Sequence, residues 1–445
     1  MPGVNTEKTM IKKAEFGRRR RKLMNIMGAN SIAILPSSSE QLRSRDTNFH
    51  FRQHSDFQYL SGFPEPDSVL VLLPAREQGE YIIFCREKDE KMETWHGRRH
   101  GQEGAIQHFS CSDAFPIDDI DDILPGLMEG RERIYYEFGH TEFDNRIMGW
   151  VNSLREQVKS GAQPPGEIIN LSHILHDMRL FKSQAEIEVM KKVTKLSAQA
   201  HIQAMKKCRP GVNEMEIEAE IKYQFASNGA RFEAYNSIVA GGENACILHY
   251  VENDCELQDG ELLLIDAGGE LEGYAADITR TFPINGQFSS EQRQAYEWVL
   301  KANKKAIKEV KVGNPWTAPH DVAVKILTKG LIEMGILSGK LDKLVDEEAY
   351  KPFYMHKTGH WIGLDVHDVG DYLVDKEPRI LEEGMVLTVE PGLYFAPNTK
   401  DLDKKWWGIG IRIEDDVLVT KKGREVLSKA AIKEVNQIET LMADG

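Results

Sequence analysis

Two segments, GELLLIDAG at 260–268 and GMVLTVEPG at 384–392, constrain this chain more than any other feature, because each drives an apolar strand into a carboxylate. They share a Gly, a mostly apolar run, an acid six positions after that Gly, a small residue or Pro, and a second Gly; the preceding LQD and LEE match loosely. The pattern suggests two similar half-units, each delivering one acid, Asp266 or Glu390, from a strand end. The first segment continues as GELEGYAADITRTFP, which reads as a returning hairpin. Centred between Leu271 and Glu272, that hairpin sets Asp277 directly opposite Asp266, with Cβ atoms roughly 5 Å apart. Two like charges there repel. Either a cation separates them, or one points into solvent, or the register is shifted by one residue and they lie on opposite faces.

Further donors favour a cation. Glu414 lies in IRIEDDV, where Ile411 and Ile413 alternate with Arg412 and Glu414 across a half-buried strand, and His360 lies in HKTGHWIGLDVHD. Carboxylates against apolar strands are costly unless neutralised. Two divalent cations about 3.5–4 Å apart neutralise four carboxylates and can share some of them as bridges. Four oxygen donors and an imidazole make a mostly hard site, which puts manganese first with cobalt or zinc as competitors.

The chain has 445 residues, more than one ordinary core accommodates, so two domains are expected. Its 56 basic and 70 acidic residues give a net charge of −14, which disfavours nucleic acid and anionic lipid as partners. MPGVNTEKTM has no apolar core for a signal peptide and no run is long enough to span a bilayer, so a cytoplasmic protein is expected. Five cysteines without C-x-x-C spacing suit reduced thiols. The basic run Arg18 to Lys22 reads as a solvated helix face. Strand-like runs at 31–36, 68–74, 81–85 and 133–139 alternate with polar segments, giving an α/β domain over 1–176 that closes after the loop SGAQPPGE. From 177 to 445 a second domain opens with a capped helix at Ser183 and Glu186, repeats the device at Asn213 and Glu216, and continues with helices near 290–310 and 319–335.

The motifs IDAG, DITRTFP, HWIGLDVHDVG, VEPGLY and GIRIEDD, which carry Asp266, Asp277, His360, Glu390 and Glu414, closely resemble the five-ligand signature of the pita-bread metallopeptidases, most closely the aminopeptidase P (Xaa-Pro aminopeptidase) family. FRQHSDFQYLSGFPEP and WHGRRHG resemble that family's amino-terminal domain. The resemblance implies a creatinase/aminopeptidase P type α/β N-terminal domain, serving oligomerisation and substrate access, and an α+β pita-bread catalytic domain. It implies that Asp266 and Asp277 bind one metal, that Asp277, His360 and Glu390 contribute to the second or to both, and that Glu414 bridges. A hydroxide between the ions would attack the scissile carbonyl, with Glu390 as proton acceptor.

His249, His356 and His367 correspond to the family's further active-site histidines, although Lys357 follows His356 where Gly is more usual. Arg412 is expected to orient a carboxylate, with structural ion pairing as the alternative; Tyr394 touches an active-site group or is a core aromatic. Trp95 matches a family tryptophan that reaches a neighbouring subunit's site, with a buried core position as its rival. The substrates implied are peptides with a penultimate proline, whose Xaa-Pro bond is a tertiary amide without N–H. A homo-oligomer, dimer or tetramer, is implied as well. Prolidase shares metals and fold, and methionine aminopeptidase shares the ligands but usually lacks such an amino-terminal domain. A metal-free scaffold of the same fold typically loses ligands, and none is missing here. Neither G-x-S-x-G, G-x-x-x-x-G-K-[ST] nor H-E-x-x-H occurs.

Overall fold

The short apolar runs of the first third become strands of one sheet in the computed structural model, which describes residues 10–443. MPGVNTEKT, the bulk of the segment read for a signal peptide, lies outside the described residues. The chain divides into two compact units, one ending at Arg179 and one beginning at Leu180. In the first, β1 (Ser31–Pro36), β2 (Val69–Leu72), β3 (Tyr81–Cys85), β4 (Asp113–Pro116), β5 (Arg133–Tyr136) and β6 (Glu167–Asn170) form a sheet of order β4-β3-β2-β1-β5-β6. Only β2 runs against the rest. β1, β2 and β3 are almost fully buried, which is why they read as continuous apolar runs. β4 and β6 were not expected. They are half-exposed edge strands, DAFP and EIIN, too short to leave an apolar run.

The basic run departs from the solvated face expected of it. It lies on the helix Lys13–Met27, where Arg18, Arg21 and Lys22 face outward but Arg19 and Arg20 are buried. Their guanidinium groups donate to the Tyr59 and Leu60 carbonyls at 2.9 and 2.8 Å and stack on Tyr59 and Tyr81. Weakly hydrated planar guanidinium tolerates such burial where ammonium does not.

In the second unit the helices Gln184–Lys207, Glu214–Ser227, Ser290–Glu309 and Ala318–Glu333 match the expected ones closely. Glu186 accepts from the Ser183 N–H at 2.8 Å, the local contact that starts the first of them. The two repeated segments each enter a three-stranded antiparallel sheet. Leu262–Asp266 lies between Ile238–Gly241 and Thr279–Pro283, and Val386–Val389 pairs with Asp415–Thr420, which also pairs with Gly423–Val426. Leu263, Ile265, Val389, Ile411, Ile413 and Val417 share one core with Val299 and Leu327 of the helices. Each such side chain contributes about 1.5–3 kcal/mol by burial, so the strand ends bearing the acids are held rigidly.

The hairpin register corrects the expectation of opposed aspartates. Asp266 pairs with Thr279, and Leu271 with Tyr274, so the chain reverses at Glu272-Gly273. Both turn residues have positive φ, 52° and 86°, as a two-residue turn matching strand twist requires. The shift from the expected pairing is two residues. It keeps Asp266 and Asp277 on one face as diagonal neighbours. Gly268 stands opposite Asp277, and a Cβ there would meet the Ala276 carbonyl at 1.7 Å. In the second half-unit Val389 pairs with Asp415 and Gly392 with Arg412, so Glu390 and Glu414 stand opposite one another.

No described helix is long and apolar enough to cross a membrane, and all five cysteines are free.

His201, fully buried in the helix Gln184–Lys207, donates from Nε2 to the Ala267 carbonyl at 3.0 Å. Burial pushes its imidazole down to about 4. Between pH 6.5 and 4 the unfolded chain therefore binds a proton that the folded chain refuses, and stability falls as pH falls through that window. From pH 7 to 5 this group is expected to remove about 2 kcal/mol. Denaturant titrations at both pH values check it: His201→Gln should lose correspondingly less on acidification than the native chain.

Candidate metal centre

The two half-units deliver their acids to one pocket of about 370 Å³, lined by Asp266, Asp277, His360, Glu390 and Glu414 together with His249, His356, His367 and Arg412. Asp266 ends its strand, Asp277 precedes the returning one, and Glu390 and Glu414 adjoin the paired ends of the second sheet. His360 comes from a segment laid along Val386–Val389: the Thr388 and Glu390 N–H groups donate to the His360 and Thr358 carbonyls at 2.9 and 2.8 Å. Gly359 permits that approach, since a Cβ there would meet the Thr388 carbonyl at 2.1 Å.

Ligand-type atoms of Asp277, His360 and Glu414 all lie within 4.8 Å of one another. His360 Nε2 is 3.4 Å from Asp277 Oδ2 and 3.7 Å from Glu390 Oε1. Tyr235 joins Asp266 to Asp277, its hydroxyl 2.6 Å from an oxygen of each. Thr279 donates to Glu414 at 2.6 Å. Arg412 reaches Asp266 Oδ2 at 2.7 Å, Tyr394 Oη at 3.1 Å and Thr279 Oγ1 at 3.1 Å. It thus orients a carboxylate and is also a structural ion pair. Tyr394, 1% exposed, is a core aromatic whose hydroxyl also touches His356 Nε2 at 2.8 Å.

His356 is fully engaged. A carbonyl can only accept, so His356 Nδ1–H donates to Lys357 O at 2.7 Å and Nε2 accepts from Tyr394. Burial, aided by Arg412, pushes its imidazole down to about 3. His249 and His367 line the pocket with ring nitrogens that have no hydrogen-bond partner among the described residues. Trp95 belongs to the other unit, on the helix Glu90–His96, and is 77% exposed, so the core alternative for it fails.

Electrostatically, one guanidinium faces four acids, Asp277 and Glu414 buried and Asp266 and Glu390 half-buried. Burial pushes Asp266 and Glu414 up and Glu390 to about 7. Burial would raise Asp277, but His360 together with the Tyr235 and Glu414 hydrogen bonds outweighs it and lowers the carboxyl. His360 in turn rises to about 9, its own burial outweighed by Asp277 and Glu390. A cluster of oxygen donors and one imidazole, carrying more negative charge than Arg412 balances, fits divalent cations.

Tyr235 and Thr279 were not identified from sequence. Tyr235 sits in RFEAYNS with no periodicity around it, and no sequence signal marks it. Thr279 was visible within DITRTFP, and the correct register would have placed it beside Asp266.

The chain matches the family model described as Metallopeptidase family M24 over residues 188–421 and that of the Aminopeptidase P, N-terminal domain over 16–135. It is 43% identical to an Xaa-Pro aminopeptidase of Escherichia coli (strain K12), covering 97% of this chain and 98% of that protein. A Haemophilus influenzae Xaa-Pro aminopeptidase is 45% identical, again over 97% and 98%. The solved structure of Pseudomonas aeruginosa aminopeptidase PepP aligns with a TM-score of 0.97 at 54% identity, covering 98% of each chain. Two half-units that converge their acids in one pocket, in a chain alike to these along nearly all of its length, leave one assignment: the chain belongs to metallopeptidase family M24, with an aminopeptidase P N-terminal domain ahead of a pita-bread domain.

Proposed function

We propose that this chain is an Xaa-Pro aminopeptidase, hydrolysing the bond between an N-terminal residue and a penultimate proline. What carries the reading is the convergence of Asp266, Asp277, His360, Glu390 and Glu414 on one pocket in a chain that matches Xaa-Pro aminopeptidases over 97% of its length. These five would hold two divalent cations, manganese first. Bound there, the cations would acidify a water toward neutrality and polarise the scissile carbonyl.

The chain's own groups do the rest. Glu390 accepts the proton released by the attacking water and returns it toward the proline nitrogen. His249 and His367 have free ring nitrogens facing the pocket and hydrogen-bond the substrate. His356 acts indirectly, through the Tyr394–Arg412 chain that fixes Asp266. The exposed Trp95 suits contact with a neighbouring subunit's substrate, which makes the N-terminal unit an oligomerisation and access domain. A cytoplasmic homo-oligomer follows from the same reading.

Prolidase is the competing activity, and peptide length separates the two. Chelated protein is expected to be inactive and to recover with manganese. The restored enzyme should cleave Ala-Pro-Ala at least about tenfold faster than Ala-Pro in kcat/KM, each tenfold corresponding to about 1.4 kcal/mol. Preference for the dipeptide would assign prolidase, and activity indifferent to chelation would remove the metal chemistry.

A further inference from the structure

The pocket lining contains two permanently cationic side chains, Arg412 and Lys357, and they differ in what is left for a ligand. Arg412 is 4% exposed and committed to Asp266, Tyr394 and Thr279. Lys357 is exposed, and its ammonium makes no ion pair among the described residues. Its field reaches Asp321 and His320, but from beyond pairing distance.

The backbone around Lys357 is fixed on both sides. Its carbonyl accepts from His356 Nδ1, the next carbonyl accepts from the Glu390 N–H, and Thr358 Oγ1 meets His320 Nδ1 at 2.9 Å. The side chain therefore starts from backbone held on both sides, one residue past His356 and three before His360, and is solvent-exposed where it lines the pocket. A peptide bound with its N-terminal amine among the acids brings its downstream residues within the same lining, of which Lys357 is the cationic member without an ion pair among the described residues.

Resting on the aminopeptidase reading above, we propose that Lys357 is a specificity-determining residue whose ammonium binds a carboxylate downstream of the penultimate proline. That carboxylate is either the terminal α-carboxylate of a tripeptide or an acidic side chain at the third position. An exposed ion pair is worth at most about 1 kcal/mol, so the expected preference is roughly threefold to fivefold, expressed in KM and weakened by salt.

Three peptides test this with the manganese-loaded enzyme: Ala-Pro-Ala, Ala-Pro-Ala-amide and Ala-Pro-Glu-amide. The native enzyme is expected to favour at least one charged peptide over the neutral amide. Lys357→Ala should bring that ratio to one or below, Lys357→Glu should lower it further, and Lys357→Arg should keep it. A Lys357-dependent gain with the free acid assigns the α-carboxylate, and one with the Glu amide assigns the side chain. Turnover of all three peptides with ratios indifferent to Lys357→Ala overturns this role alone. No turnover of any of them by the native enzyme overturns the aminopeptidase reading, and this role with it.

Discussion

Asp277→Asn is expected to lower kcat/KM on Ala-Pro-Ala by about a thousandfold or more, a loss of about 4 kcal/mol of transition-state stabilisation. The substitution preserves shape. An Asn oxygen can still accept from Tyr235, whose hydroxyl lies 2.6 Å from Asp277 Oδ1, and the backbone N–H can still donate to Asp416 at 3.1 Å. What disappears is one negative charge at the point where Asp277, His360 and Glu414 approach within 4.8 Å. Folding should survive, because the register and the core that hold this strand do not depend on that charge. Metal content measured on the purified variant should fall below that of the native chain. Retention of activity within tenfold at native metal content would show that the five donors are not the working site.

The parts of this molecule legible in sequence are those whose physics is local. A capping contact such as Ser183 with Glu186 acts across a single turn, and the apolar spacing of Ile217, Ile221 and Phe225 is set by one helix. Strand ends bearing Asp266 and Glu390 were legible because an apolar run broken by an acid is rare enough to stand out. Register was not, because it depends on which residues take positive φ, and Glu272 does so without being a Gly or Asn. The two-residue shift left the face unchanged, so the inferred proximity of the aspartates survived a wrong pairing. Arg19 and Arg20 depart from the solvated reading because their partners, carbonyls 40 residues away and the rings of Tyr59 and Tyr81, leave no mark beside them. Tyr235 escaped for the same reason, since its two partners are 31 and 42 residues distant.

The same non-local physics governs how the two halves are joined, and it yields the largest expected effect on stability. Arg280 and Asp415, both 0% exposed, come from the strands that follow Asp277 and Glu414 and pair at 2.8 Å. Arg280 also donates to the Thr279 and Ala431 carbonyls at 2.8 Å. Asp415 also accepts from Ser428 at 2.6 Å, Asn303 at 3.1 Å and Lys433. Burial alone would raise the Asp415 carboxyl, but Arg280 and Lys433 outweigh it and hold it well below the usual carboxylate range. Its stabilisation is therefore present above the unfolded carboxylate range and is lost as pH falls below it. Asp415→Ala strands a buried guanidinium and removes the partner of the half-buried Lys433 ammonium, and the C-terminal unit is expected to lose about 3–5 kcal/mol in denaturant unfolding. Arg280→Met combined with Asp415→Leu should cost less than the single Asp415→Ala change, because no charge is then left buried without its partner except Lys433, which lies near the surface at 18% exposure. A single change costing under 1 kcal/mol would mean that packing alone joins the half-units. A large cost, with the double variant recovering stability but not activity, would place the pair's role in aligning Thr279 and Glu414 across the pocket.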